Sequence, residues 1–208
     1  MKPPEGDERT AAPLRAIARL LRELGLPASE LSRLISHALA VEEAAARFSL
    51  VSEGDRGHVL ERHTADSLLF ALAHSPQPGE RWVDVGSGAG FPGVPLACCY
   101  PDTSFVLLEP TARRAGFLAM ERDRLGLGNV EVASTKAESL KERFDVAAAR
   151  ALADPAAASS LLTRLLRPGG HALIAVGSAI EAQGGEVVDV SRADVDSPGL
   201  LLIIARGD

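Results

Sequence analysis

Cysteine is almost absent from this chain of 208 residues, and the two it has, Cys98 and Cys99, are adjacent. Neighbouring cysteines cannot form an ordinary structural disulfide, so neither an oxidising compartment nor a thiolate metal cage is indicated. Long apolar runs are missing too: none approaches the ~20 residues a membrane span needs. The start, Met1-Lys2-Pro3-Pro4-Glu5-Gly6-Asp7-Glu8, lacks the basic and apolar regions of a signal peptide, which points to the cytoplasm. Positive charge is in deficit, with a net charge of -6. Six acids and two arginines in residues 181–208 account for -4 of it, so the rest of the chain is close to neutral. A nucleic-acid partner would then have to meet a local basic patch.

What is present is globular: 46% hydrophobic and 24% charged residues over a length that suits one domain with a modest extension. Residues 1–12, polar and Pro-containing, read as a disordered tail. Residues 13–78 read as a helical region. Leu14, Ile17, Leu20, Leu21 and Leu24 recur at helical spacing before the stop Gly25 and Pro27. Further helical runs follow from Leu31 to Val41, including Leu39, and from Val59 to Leu72. The cluster Pro76-Gln77-Pro78-Gly79 marks a boundary. From 79 to 208 the pattern changes to strands at Arg81–Val85, Ser104–Glu109, Val130–Ala133, Phe144–Ala149 and His171–Val176, separated by helical segments. That alternation predicts a doubly wound, mostly parallel α/β sheet. The tail segments Glu186–Val190 and Leu200–Ala205 are expected to complete seven strands as an antiparallel hairpin.

Trp82-Val83-Asp84-Val85 leads into Gly86-Ser87-Gly88-Ala89-Gly90, and a helix is expected to start at Phe91-Pro92-Gly93 with free N–H groups at its first turn. The spacing G-x-G-x-G differs from the G-x-G-x-x-G made for a pyrophosphate, and no P-loop Gly-Lys-Ser/Thr follows. Glu109, 23 positions past Gly86, suits an acid accepting both ribose hydroxyls at the second strand's end. A nucleoside without phosphate, S-adenosylmethionine (SAM), fits, with Asp84, Gly86, Ser87, Gly88, Gly90 and Glu109 as its binding set.

The run Val83 to Leu96, with its Phe91-Pro92-Gly93-x-Pro95 continuation, resembles the cofactor motif of the bacterial small-subunit rRNA methyltransferase G (GidB) family. Similarity extends to Arg62-His63-x-x-Asp66-Ser67, Arg113-Arg114-x-x-Phe117-Leu118, Leu125-Gly126-Leu127-x-Asn129-Val130, Ala137-Glu138 and Arg150-Ala151, covering roughly residues 47–178. The resemblance implies a class I, Rossmann-like SAM-dependent methyltransferase that methylates N7 of a guanine in 16S rRNA. It further implies cofactor contacts at Gly86, Phe91, Ala137, Glu138 and Arg150. The chain differs from the family pattern in Glu109, where Asp is usual, in Ala46–Ser52, and in Val176-Gly177 for Lys-Gly. Those differences keep a small-metabolite methyltransferase and a non-catalytic SAM-binding assembly factor as alternatives.

No acid–base pair is expected, because guanine N7 has no proton to lose and needs alignment above all. The Asn/Asp-Pro-Pro-aromatic motif of amino methyltransferases is missing; Asp154-Pro155 reads as a helix cap. His63, Arg113, Arg114 and Arg150 are the substrate-side candidates. His63 is read first as a half-buried structural histidine, with Asp66 orienting it or capping a neighbour. Arg150 either orients the cofactor or meets rRNA phosphate; Arg113 and Arg114 either supply local positive charge or form a solvated face. The Met, Phe and Leu positions of their helix are read as core. A monomer that meets the small ribosomal subunit or its RNA, without metal or membrane, is the expected assembly.

Overall fold

The computed structural model describes residues 6–150, 154–177 and 184–207. Three helices come first: α1 (Gly6–Glu23), α2 (Glu30–Ala45) and α3 (Ala65–Ala73), the last preceded by a π-helical turn, Leu60–Thr64. The sheet and its helices follow as β1 (Arg81–Val85), α4 (Gly93–Cys99), β2 (Ser104–Leu108), α5 (Ala112–Leu125), β3 (Val130–Ala133), β4 (Phe144–Ala149), α6 (Pro155–Leu165), β5 (Leu166–Val176), β6 (Glu186–Asp189) and β7 (Leu200–Ala205).

The seven strands are ordered β3-β2-β1-β4-β5-β7-β6. β1 to β5 are mutually parallel, β7 runs antiparallel beside β5, and β6 pairs antiparallel with β7. The expected doubly wound sheet with a closing hairpin is therefore what forms. β1 lies between β2 and β4, so the chain reverses its winding direction there. Ligand crevices of open α/β sheets form at such a switch point, outside the carboxyl ends of the strands.

The two faces of the sheet carry separate cores. One packs Val83, Val85, Ala147, Ala149 and Ile174 against Ala158, Leu162 and Leu165 of α6. The other unites Trp82, Phe105, Leu107 and Leu173 with α4, with Phe117 and Leu118 of α5, and with Ile17, Leu20, Leu34, Val41, Leu68 and Phe70 of the first three helices. The N-terminal helices thus form part of one layer of the sheet's own core. Their attachment is polar as well: Arg19 and Glu23 of α1 pair with Asp194 and Arg192, and Arg62 meets Asp196 at 2.8 Å.

Four expectations need correction. Residues 6–12 are helical: Ala11 and Ala12 favour helix, and Pro13, inside α1, removes a single backbone donor; the first five residues of the expected tail lie outside the described ones. Val59–Leu72 is not one α-helix but a π-turn feeding α3. β5 begins at Leu166, five residues early, because Leu166 pairs with Phe144 across a register shift. Gly170 permits this approach, since a Cβ there would sit 2.8 Å from the Asp145 carbonyl oxygen. Leu39, counted in the apolar run of the second helix, and Met120, read as core, are 61% and 54% exposed.

Candidate functional site

β1 carries Asp84 to the carboxyl edge of the sheet, and the chain then turns through three glycines of positive φ: Gly86 (74°), Gly88 (56°) and Gly90 (100°). Gly86 and Ser87 both donate backbone N–H bonds to the Leu108 carbonyl, at 2.8 and 3.1 Å, which fastens the turn to β2. The Ser87 hydroxyl donates to the Asp84 carbonyl at 2.8 Å. Ser87, expected among the cofactor ligands, therefore spends its side chain inside the turn. The glycines also divide by role. A Cβ on Gly86 would meet nothing within 4 Å, so the backbone there faces open space. A Cβ on Gly90 would sit 2.7 Å from Val94 Cγ2 and 3.1 Å from His37 Nε2, which makes Gly90 a packing residue.

Two carboxylates frame the open face. Glu109, just past β2, is 3% exposed; its Oε2 accepts from Gly88 N at 3.1 Å and its Oε1 from Thr111 N at 2.8 Å. Both contacts leave each oxygen a further lone pair. Asp84 is buried, its Oδ2 accepting from Gly93 N at 3.0 Å, while its buried Oδ1 has no partner among the described residues. Burial pushes the Asp84 carboxyl up to about 7; the Gly93 bond and the Arg150 charge oppose the rise. The bond to Gly93 also corrects the reading of the next helix. α4 begins at Gly93, with Pro92 as its N-cap, and the Gly93 and Val94 N–H groups are taken by Asp84 and the Gly90 carbonyl. Its first turn is not a vacant anion site.

The remaining expected cofactor residues surround this turn unevenly. Phe91 is buried between two imidazoles, 5.1 Å from His37 and stacked on His63 at 5.3 Å. Ala137 and Glu138 form a short 3-10 turn whose carbonyls accept from Arg164 of α6 at 2.9 and 3.3 Å. Arg150, directly after β4, faces the helical layer. Its Nη2 lies 3.0 Å from Asp66 Oδ2 and 3.1 Å from both the Arg62 carbonyl and His63 Nδ1. Asp66 thus holds Arg150 rather than His63, and it also accepts from the Ser197 hydroxyl. Ala151, paired with Arg150 in the family motif, lies outside the described residues.

His63 sits on the π-turn and accepts from Arg150 at Nδ1, so its proton belongs on Nε2, which faces Asp55 at 3.5 Å. Burial and then the Arg150 charge push its pKa down, against Asp55 and Asp66. It is a neutral, positioned imidazole near neutral pH. Arg113 and Arg114 do something not expected of them: Arg113 lies 4.4 Å over the Phe48 ring and Arg114 donates to the Ser49 carbonyl at 3.1 Å. They hold the segment preceding the Arg62-His63 motif against α5.

A cleft of about 220 Å³ opens beside this cluster, lined by Arg62, Asp66, Arg150, Val176, Gly177 and the loop from Asp196 to Gly199. Sequence reasoning missed Arg62, Asp196 and Ser197 as parts of the site. The two loop residues carry no local signal, since Ser197 is 131 positions from Asp66. His37 was also missed, although its spacing with Leu34 and Val41 put it on the buried stripe of α2; its Nδ1 meets buried Glu121 at 2.9 Å.

A model of the family described as GidB, rRNA small subunit methyltransferase G, matches residues 30–188. The chain is 32% identical over 178 residues to the ribosomal RNA small subunit methyltransferase G of Chlorobaculum tepidum, covering 84% of this chain and 82% of that one. It is 36% identical over 194 residues to the protein of that name from Sorangium cellulosum, covering 89% and 77%. Among solved structures, a SAM-dependent methyltransferase from Aquifex aeolicus superposes with a TM-score of 0.54 at 17% identity, over 73% of this chain and 93% of that one. That likeness places the fold.

Proposed function

The chain belongs to the rRNA small subunit methyltransferase G family, and from that premise we propose that, as a SAM-dependent methyltransferase, it methylates N7 of a guanine in small-subunit (16S) ribosomal RNA. The observation that carries this reading is the juxtaposition at the carboxyl edge of β1, β2 and β4. There an open glycine turn with two buried carboxylates leads into Phe91, which stacks on His63, and His63 contacts Arg150 in the wall of a cleft shared with Arg62 and Asp66.

The residues fit the cofactor on their own chemistry. The bare backbone at Gly86 admits close approach by a ligand. The Glu109 oxygens retain lone pairs for ribose hydroxyls, and the unpartnered Asp84 Oδ1 is suited to accept from an ammonium group. Gly86, Gly88, Asp84 and Glu109, with Phe91 and the Ala137-Glu138 turn beside them, would hold it. Bound SAM supplies an electrophilic methyl on a sulfonium centre. Guanine N7 attacks through an in-plane lone pair and releases no proton, so the protein need supply no general base. Its contribution is orientation, an effect worth ~7–11 kcal/mol when donor and acceptor are held in line. Arg150, fixed by Asp66 and His63, is the residue that shapes the acceptor side of the crevice.

The test is methyl transfer to small ribosomal subunits lacking the modification, followed by mass spectrometry of the 16S rRNA nucleosides. We expect 7-methylguanosine to appear only with protein and SAM together. Absence of methyl incorporation into subunits and naked RNA, alongside measurable SAM binding, would overturn the RNA reading.

A further inference from the structure

The edge of the sheet opposite the glycine turn carries a second, unassigned cleft of about 520 Å³. It lies where β4 and β5 begin and β7 ends, under α6, and is lined in part by Arg143, Ser160, Thr163, Arg164 and Arg206. β4 spans six residues, so at ~3.3 Å per residue the two edges are roughly 20 Å apart.

The three guanidiniums share an arrangement that sets them apart from most arginines here. Arg19, Arg81, Arg124 and Arg167 each meet a carboxylate. Arg143 instead donates to the carbonyls of Lys141 and Glu142 at 2.9 and 3.0 Å, Arg164 to those of Ala137 and Glu138, and Arg206 to that of Leu166. Carbonyl bonds orient a guanidinium without neutralising it, and its five donors are not exhausted by them. No acidic side chain among the described residues lines the cleft. In a chain of net charge -6, three cations lining one cleft, with no carboxylate partner among the described residues, form a concentrated positive field. Hydroxyls from Ser160 and Thr163 add donors of the kind that phosphate oxygens accept.

We propose that this cleft is an oxyanion subsite for phosphodiester groups of the RNA substrate, gripping the backbone at a distance from the methylated base. The inference rests on the RNA reading of the function. Guanidinium forks match phosphate geometry, and contacts of this kind set register without reading sequence. Three arginines in one cleft suit a backbone better than a single free ion.

Binding of a small-subunit rRNA fragment should be measured at several salt concentrations for wild type, Arg143→Gln and Arg143→Gln/Arg206→Gln. Among the described residues Arg143 bonds only to carbonyls of its two preceding residues, so its single variant tests the site without disturbing packing; thermal melting checks the double variant. Arg164 is left intact because it holds the Ala137-Glu138 turn. The slope of log affinity against log salt should become shallower by ~0.7–0.9 for each arginine that meets phosphate, with SAM affinity unchanged. A wild-type slope in a folded double variant overturns the subsite. A second arm titrates inorganic phosphate while following arginine side-chain resonances. Shifts at Arg143 and Arg206 with an unaltered RNA slope would assign the cleft to a free anion and overturn the RNA proposal. Failure of the wild type itself to bind and methylate RNA would instead bring down the proposed function, a result distinct from one confined to the variants.

Discussion

The guanidinium of Arg150, directly after β4, lies 3.0 Å from the Asp66 carboxylate of α3, and this pair joins the sheet to the helical layer in the wall of the cleft that both line. Both side chains are largely shielded, at 17% and 10% exposure, and the same guanidinium fixes the His63 tautomer. Removing one member of such a pair leaves a shielded charge without its counterion.

Arg150→Ala is therefore expected to lower unfolding free energy by ~3 kcal/mol and to reduce subunit methylation more than SAM affinity. Arg150→Lys should recover part of the stability, because an ammonium can meet Asp66 but cannot also span His63 and the Arg62 carbonyl. In the Arg150→Ala/Asp66→Ala double variant the loss should be smaller than the sum of the singles. Urea unfolding with SAM titration and a methylation assay checks all three. Additive losses would show the two residues acting independently.

Gly86 and Gly93 should fail in different ways. Gly86 has φ of 74° and open space where a Cβ would go, so Gly86→Val costs ~1–2 kcal/mol of backbone strain and obstructs the ligand. We expect a folded protein without measurable SAM binding. A Cβ on Gly93 would lie 2.3 Å from Leu107 Cδ2 and 2.8 Å from Asp84 Oδ2, so Gly93→Ala should destabilise the fold by ~1–3 kcal/mol. Calorimetric titration and thermal melting separate the two; a Gly86→Val protein that binds SAM normally would remove the turn from the site.

Glu109→Ala should weaken SAM binding by ~1.5–3 kcal/mol, the range for hydrogen bonds to a charged group. Glu109→Gln should lose less, since its amide oxygen can still accept from Gly88 or Thr111. An unchanged dissociation constant in the Ala variant would place the ribose elsewhere.

Asp84 gives a pH signature to the ligand-free protein. Its carboxyl titrates at 3.8 in the unfolded chain and at about 7 in the fold, so the fold favours the protonated form. The resulting stabilisation is complete below 3.8 and is lost as pH rises through about 7. The rise in pKa corresponds to on the order of 4 kcal/mol at ~1.4 kcal/mol per pKa unit. Unfolding measured between pH 4 and 8 should show this decline in the wild type and a flatter profile in Asp84→Asn. Parallel profiles would mean that Asp84 does not titrate in that interval.

The strands and the glycine turn were legible because hydrophobic runs, glycine punctuation and the spacing to Glu109 are local signals. The π-turn at Leu60–Thr64 was not, since its residues keep an ordinary helical pattern and only packing adds the extra residue per turn. The partner of Asp66 was misread for a related reason: three residues separate it from His63 in sequence, yet Arg150 reaches it from another layer. Arg113 and Arg114 illustrate the limit at the surface. Charge alone left their role open, and it took the position of Phe48 and Ser49 to show what they hold.

The ties from Arg19, Glu23, Arg62 and Asp66 to Asp194, Arg192, Asp196 and Ser197 bear on the timing of folding. They connect helices to a loop synthesised much later, with sequence separations of 131 to 175 residues. During translation, these helices must wait with their partners still unmade, and the wall of the cleft beside Arg150 closes only after the loop emerges. Closure of such long loops is slow, and the exposed apolar stripe of α1 and α2 is what a chaperone would meet in the interval.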